Sequence, residues 1–125
     1  MTTLELTKTS FDASVASGGI MLVDCWASWC AGCETFATIY ENVASRHPAH
    51  VFARLDTQAE RDLTDSLGVK QIPSLLLYRD GILLFQQAGN FDDEALEGIV
   101  SQAESVDMDA VRAHMASEQA ASENA

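Results

Sequence analysis

"DCWASWCAGCETF", residues Asp24 to Phe36, holds all three cysteines of the chain, both of its tryptophans and an aspartate within thirteen positions. Before Cys30 and Cys33, "IMLVDCWA" (Ile20 to Ala27) is an almost continuous apolar run, as expected of a strand buried on both faces. After them, Phe36, Ile39, Tyr40 and Val43 repeat at i, i+3, i+4, i+7, one face of a helix that ends before Pro48. The pair therefore sits where a buried strand gives way to a helix. There the first cysteine meets unpaired N–H groups and the positive end of the helix dipole, which favour the thiolate, the form that attacks disulfides. The second, one turn on, can attack the mixed disulfide so formed and release the reduced product. Cys30 reads as the nucleophile and Cys33 as the resolving thiol.

Working outward, period and breakers divide the rest into alternating elements. Leu4 and Leu6 flank Glu5 in a short strand, and Ser10 or Asp12 opens a short helix that stops before Gly18-Gly19. "HVFARLDT" is a strand, and "AERDLTDSLGV" a short helix with Ala59, Leu63 and Leu67 inward and Gly68 as its stop. "SLLLY", Asp80-Gly81 and "ILLFQQAG" form a hairpin, since Asp-Gly supplies the positive φ angles of a tight turn. From Asp92, the spacing of Ala95, Leu96, Ile99, Val100 and Ala103 returns to helix, its early acids matching the helix dipole. The order β-α-β-α-β-α-β-β-α predicts an α/β fold, a mixed sheet with helices on both faces. Residues 1–104 are expected to form one domain and 105–125 an acidic C-terminal extension. In the extension Met108, Val111 and Met115 keep helical spacing before Ala, Ser, Glu and Asn take over, which predicts a short helix and roughly eight residues of frayed tail.

The chain has 125 residues, 47% of them hydrophobic, enough for one core. Its formal charge of −12 argues against nucleic acid and anionic membrane surfaces as partners. Nine acids against Arg112 alone place most of that charge beyond residue 91. The first residues lack a basic flank followed by an apolar run, and no stretch approaches the ~20 apolar residues of a membrane span, so a cytoplasmic location is expected. Three cysteines do not suggest a disulfide framework of the kind small secreted domains use.

The sequence resembles the thioredoxin family over roughly residues 3–103, on "VDCWASWCAGC", on "IPS" at Ile72 to Ser74, on Asp80-Gly81 and on Gly89, in the family's order and spacing. The resemblance implies the thioredoxin fold, a central mixed sheet flanked by helices, and reduction of disulfide-containing protein substrates. It implies electrons from a thioredoxin reductase-type donor; no bound cofactor and a monomer are expected. Pro73 would be a cis-proline facing the dithiol, and the backbone at Ile72 would pair with an extended substrate. Trp29, Ala31, Gly32 and the backbone near Gly89 would complete an apolar groove around Cys30. Asp24 would be a buried carboxylate behind Cys33, its pKa raised by burial, accepting the proton of the resolving thiol.

Several positions depart from the family pattern. Ala31-Gly32 replaces Gly-Pro between the cysteines, which loosens the helix start. Glu34 replaces a basic residue and is expected to disfavour the Cys30 thiolate; Thr38 replaces a kinking proline, so a straighter helix is expected. Cys25, one residue from Asp24, should point to the opposite face and pack as an inert core thiol, with a third redox role as the sharper alternative. Zinc at the cysteine pair is disfavoured because a closed site needs about four ligands, and no spacing of His47, His50 or His114 joins them to it. The histidines read as surface or helix-end residues. The alternative function is a thioredoxin-fold binding or co-chaperone module with little redox turnover.

Overall fold

In a computed structural model, which describes residues 3–123, strand β2 (Ile20–Trp26) runs through the centre of a five-stranded sheet. Its near-continuous apolar sequence follows from that position. Period two sends Ile20, Leu22 and Asp24 to one face and Met21, Val23 and Cys25 to the other, and both faces are covered. On the first face lie α2 (Ala31–Ser45) and α4 (Asp93–Ser105), whose Phe36, Tyr40, Val43, Leu96 and Val100 join Leu22 in one core cluster. On the second, Phe11 of α1 (Lys8–Ala16) and Leu63 of α3 (Arg61–Ser66) pack on Val23, Cys25 and Leu55. Tyr40, fully buried, satisfies its hydroxyl by donating to Ala53 O at 2.8 Å.

The sheet order is β1-β3-β2-β4-β5, with β1 (Leu4–Glu5), β3 (Val51–Asp56) and β2 parallel, β4 (Ser74–Arg79) antiparallel to β2, and β5 (Ile82–Ala88) antiparallel to β4. The sheet is thus mixed, as the element order predicted. Asp80 and Gly81 turn the β4–β5 hairpin with φ of 53° and 82°. The tip is tied back to the α1–β2 turn, because Asp80 N–H donates to Gly19 O and Asp80 Oδ1 accepts from Gly19 N–H.

The structure corrects the sequence reading at four places. α1 begins at Lys8, because Thr7 is the N-cap and Ser10 its reciprocal capping-box partner, so neither Ser10 nor Asp12 opens the helix. Ala59 is exposed in the turn before α3, and Ala95 is exposed in the first turn of α4. The extension is one helix, α5 (Met108–Glu123), sixteen residues long. Its expected frayed tail is helical at least to Glu123, since "ASEQAASE" contains no breaker and is rich in strong helix formers; residues 124 and 125 lie outside the described residues. Burial falls along the described part of α5: Met108 is buried, Val111 half-buried and Met115 exposed. Arg79 secures the root of this helix by donating from Nη1 to the carbonyls of Ala103 and Val106, both at 2.7 Å.

Candidate active site

β2 delivers the chain to the end of the sheet, where Ala27 to Trp29 turn it into α2. Cys30 caps that helix. Its backbone is extended (φ −98°, ψ 106°), and its Sγ accepts the N–H of Cys33 at 3.2 Å, the bond an N-cap side chain makes to an otherwise orphaned donor. The same N–H and the helix dipole stabilise negative charge on this sulfur. Cys30 and Cys33 are joined as a disulfide, with Cα atoms 5.3 Å apart, and Cys30 is the more exposed of the two at 9% against 2%. The sulfur best placed to carry charge is therefore also the one nearer solvent.

The Ile72–Pro73 peptide bond is cis, and β4 begins at the next residue. Pro73 O accepts the N–H of Gly89 at 2.8 Å, which sets the end of β5 beside the proline. Gly89 has φ of 129°, a backbone that favours glycine. A Cβ built on Gly32 would stand 3.8 Å from Pro73 Cδ and 3.1 Å from Asn90 Nδ2, so α2, the cis-proline and the β5–α4 loop converge at the dithiol. Among the described residues, Ile72 makes no backbone hydrogen bond, leaving its N–H and C=O open to an added chain. Ala31 is exposed at the first position of the helix.

Trp29 is 69% exposed and, with Ile72, borders a depression of about 660 Å³ that extends toward α3. Thr57, Gln58, Arg61, Asp65 and Lys70 share its walls. This depression is amphipathic, with Trp29, Val69 and Ile72 as its apolar residues and Arg61, Asp65 and Lys70 as its charged ones.

Asp24 is fully buried on the α2 face of β2. Burial pushes its carboxyl from the ordinary 3.8 up to about 6, with Arg54 pulling in the opposite direction through charge and a hydrogen bond. The register of β2 against β3 pairs Asp24 with Arg54, and Arg54 Nε donates to Asp24 Oδ2 at 3.2 Å. Asp24 Oδ1 has no hydrogen-bond partner among the described residues. The Arg54 guanidinium lies over the Trp26 ring, 4.6 Å from its centroid, and lines a hollow together with Cys33, Glu34 and Thr38. Glu34 thus opens on the Cys33 side and away from the Trp29 groove. Its charge is exposed, so solvent screens its effect on Cys30.

The dithiol, the cis-proline and the buried acid agree with one family, and so do the comparisons with known proteins. The family model described as thioredoxin matches residues 2–102. The chain is 39% identical over 118 residues to a protein named putative thioredoxin 2 from Streptomyces coelicolor, covering 94% of this chain and 88% of that protein. It is 31% identical over 97 residues to a thioredoxin of Chlamydia muridarum, covering 78% and 94% respectively. The chain belongs to the thioredoxin family. It is a thiol-disulfide oxidoreductase carrying the family's cysteine pair at Cys30 and Cys33. Its fold is shared with a solved mutant thioredoxin from Halobacterium salinarum, with a TM-score of 0.77 at 24% identity over 83% of this chain and 92% of that one.

Within this thioredoxin frame two residues escaped the sequence reading. Arg54 carried a signal, a lone cation at an inward position of "VFARLD", but its partner is fixed only by strand register. Asn90 carried none beyond following Gly89. Cys25 sits in the α1–α3 core with no exposure, and burial pushes its thiol up to about 12, as suits a core thiol. No helix among the described residues is long and apolar enough to cross a membrane.

Proposed function

We propose that this thioredoxin-family protein reduces protein disulfides with Cys30 as nucleophile and Cys33 as resolving thiol. The observation that carries the assignment is the position of Cys30 Sγ at the α2 N-cap, accepting the Cys33 N–H at the more exposed end of the pair. The Cys30 thiolate attacks one sulfur of a substrate disulfide and the other leaves as a thiolate. Cys33, having lost its proton, then attacks Cys30 Sγ, expelling the second substrate thiolate. Two electrons pass to the substrate, and the chain is left with the Cys30–Cys33 disulfide. Asp24 is the proposed acceptor of the Cys33 proton. A carboxyl titrating near 6 is mostly ionised at neutral pH yet basic enough to take a proton, and Arg54 keeps it from becoming permanently neutral.

The open backbone of Ile72, the cis-Pro73 edge and Gly89 support binding of an extended substrate segment, with Trp29 as its apolar contact and Ala31 and Gly32 as the floor. A reductase that exchanges dithiols with this site is the proposed electron donor. The cytoplasm is the proposed location, because its poise keeps such a dithiol reduced. Residues 1–104 are taken as the oxidoreductase domain, with 105–125 as an accessory extension. A monomer is proposed, as the family resemblance suggests.

The test is a redox titration of the cysteine couple by thiol trapping and mass spectrometry. A two-electron transition at or below about −250 mV is expected of a reductant. A transition well above that, or none, would overturn the reductant assignment.

A further inference from the structure

Away from the dithiol, the turn after α2 carries "RHPAH", residues 46–50. Backbone bonds from His47 N–H to Ala44 O and from His50 N–H to His47 O, at 3.1 and 3.0 Å, hold both histidines on one tight turn. Their rings stack with centroids 5.8 Å apart and planes 13° apart, and the His47 ring also rests 6.2 Å from that of Phe52. Both imidazoles reach toward α4. His47 Nε2 pairs with Glu97 Oε1 and His50 Nε2 with Glu104 Oε2, each at 2.7 Å. One ring nitrogen from each histidine and one Glu104 oxygen all lie within 4.8 Å of one another.

Two imidazoles and a carboxylate are a donor set suited to zinc and its neighbours in the first transition row. With metal–ligand bonds of ~2.0–2.2 Å, donor atoms in a tetrahedral set lie roughly 3.4 Å apart. Reaching that spacing from separations of 4.8 Å or less takes side-chain rotation, and the ion would replace the 2.7 Å hydrogen bond between His50 and Glu104 with a bond to each. Glu104, whose side chain is 47% exposed, is free to supply most of that movement, while the histidine side chains, at 20% and 17%, are already held in place. Glu97, shared between His47 and Arg46, keeps the His47 ring turned toward α4.

We propose that His47, His50 and Glu104 form a site for one divalent transition-metal ion of the zinc class, completed by water. The ion would tie the turn after α2 to the last turn of α4, next to the root of α5 that Arg79 secures. The site would act as a structural clamp, independent of disulfide exchange.

The experiment is calorimetric titration of the untagged, full-length, oxidised protein with zinc chloride, since the intact Cys30–Cys33 disulfide cannot ligate metal. One ion per chain is expected, with a rise in the thermal unfolding temperature. His50→Ala and Glu104→Gln should each weaken binding roughly tenfold or more, while His114→Ala, on α5, should leave it unchanged. Thermal unfolding in chelator establishes that each variant folds, and the near-isosteric Glu104→Gln keeps the test intact if His50→Ala does not. No zinc binding up to about 1 mM, or binding unchanged in the folded site variants, or loss of binding in His114→Ala, would overturn the proposal.

Discussion

Asp24→Asn should stabilise the protein at neutral pH, and the gain should disappear in acid. The carboxyl is buried and titrates at about 6 in the fold against 3.8 ordinarily. Between these values the unfolded chain has released a proton that the folded chain still holds, so Asp24 erodes stability as pH rises, and the penalty is complete above about 6. At ~1.4 kcal/mol for each unit of pKa, the gap between 3.8 and about 6 corresponds to about 3 kcal/mol. Asn matches the neutral acid in shape and can still accept from Arg54 Nε, and Arg54 keeps its contact with the Trp26 ring. The assay is guanidinium unfolding of the oxidised wild type and variant from about pH 3 to about pH 8. Other titrating groups act equally on both proteins, so the difference isolates Asp24. The variant should gain about 3 kcal/mol relative to wild type across this range. A stability difference that does not change with pH, or a variant less stable at pH 8, would refute the reasoning.

Cys25 should resist alkylation in the native oxidised protein and react only on unfolding, because it has no exposure and burial pushes its thiol up to about 12; mass spectrometry after brief iodoacetamide treatment checks this, and native-state labelling would contradict the core assignment. Truncation after Val106 removes α5 and with it the buried Met108, so a loss of about 1.5–3 kcal/mol is expected from denaturant unfolding. Disulfide reductase activity should survive that truncation, since the cysteine pair and the Ile72–Pro73 edge are built by α2, β4 and the β5–α4 loop; a large fall in activity at little cost in stability would assign the extension a role in substrate binding.

The strand-to-helix junction around the cysteines was legible because its signals are local: an apolar run, a dithiol and a helical stripe follow one another directly. The Asp80-Gly81 hairpin was legible for the same reason, as two residues determine the turn. Arg54 was not, since its meeting with Asp24 depends on how β3 aligns with β2 across an intervening helix. His47, His50 and Glu104 meet only because α2 and α4 cover the same sheet face. Thr7 was overlooked as a cap because its box closes with Ser10, where the usual partner is Glu or Gln. In α5 the fading apolar stripe was read as fraying, although Ala and Glu propensity sustains the helix beyond the buried Met108.

The most direct test of the account is to trap its intermediate. Cys33→Ser protein, mixed with a disulfide-bonded substrate protein, should accumulate a mixed disulfide, because the resolving thiol is gone. Peptide mass spectrometry should place the link at Cys30, and a Cys30→Ser control should form none. A link at Cys25, or an equal yield of adduct from the Cys30→Ser control, would contradict the assignment of Cys30 as the nucleophile.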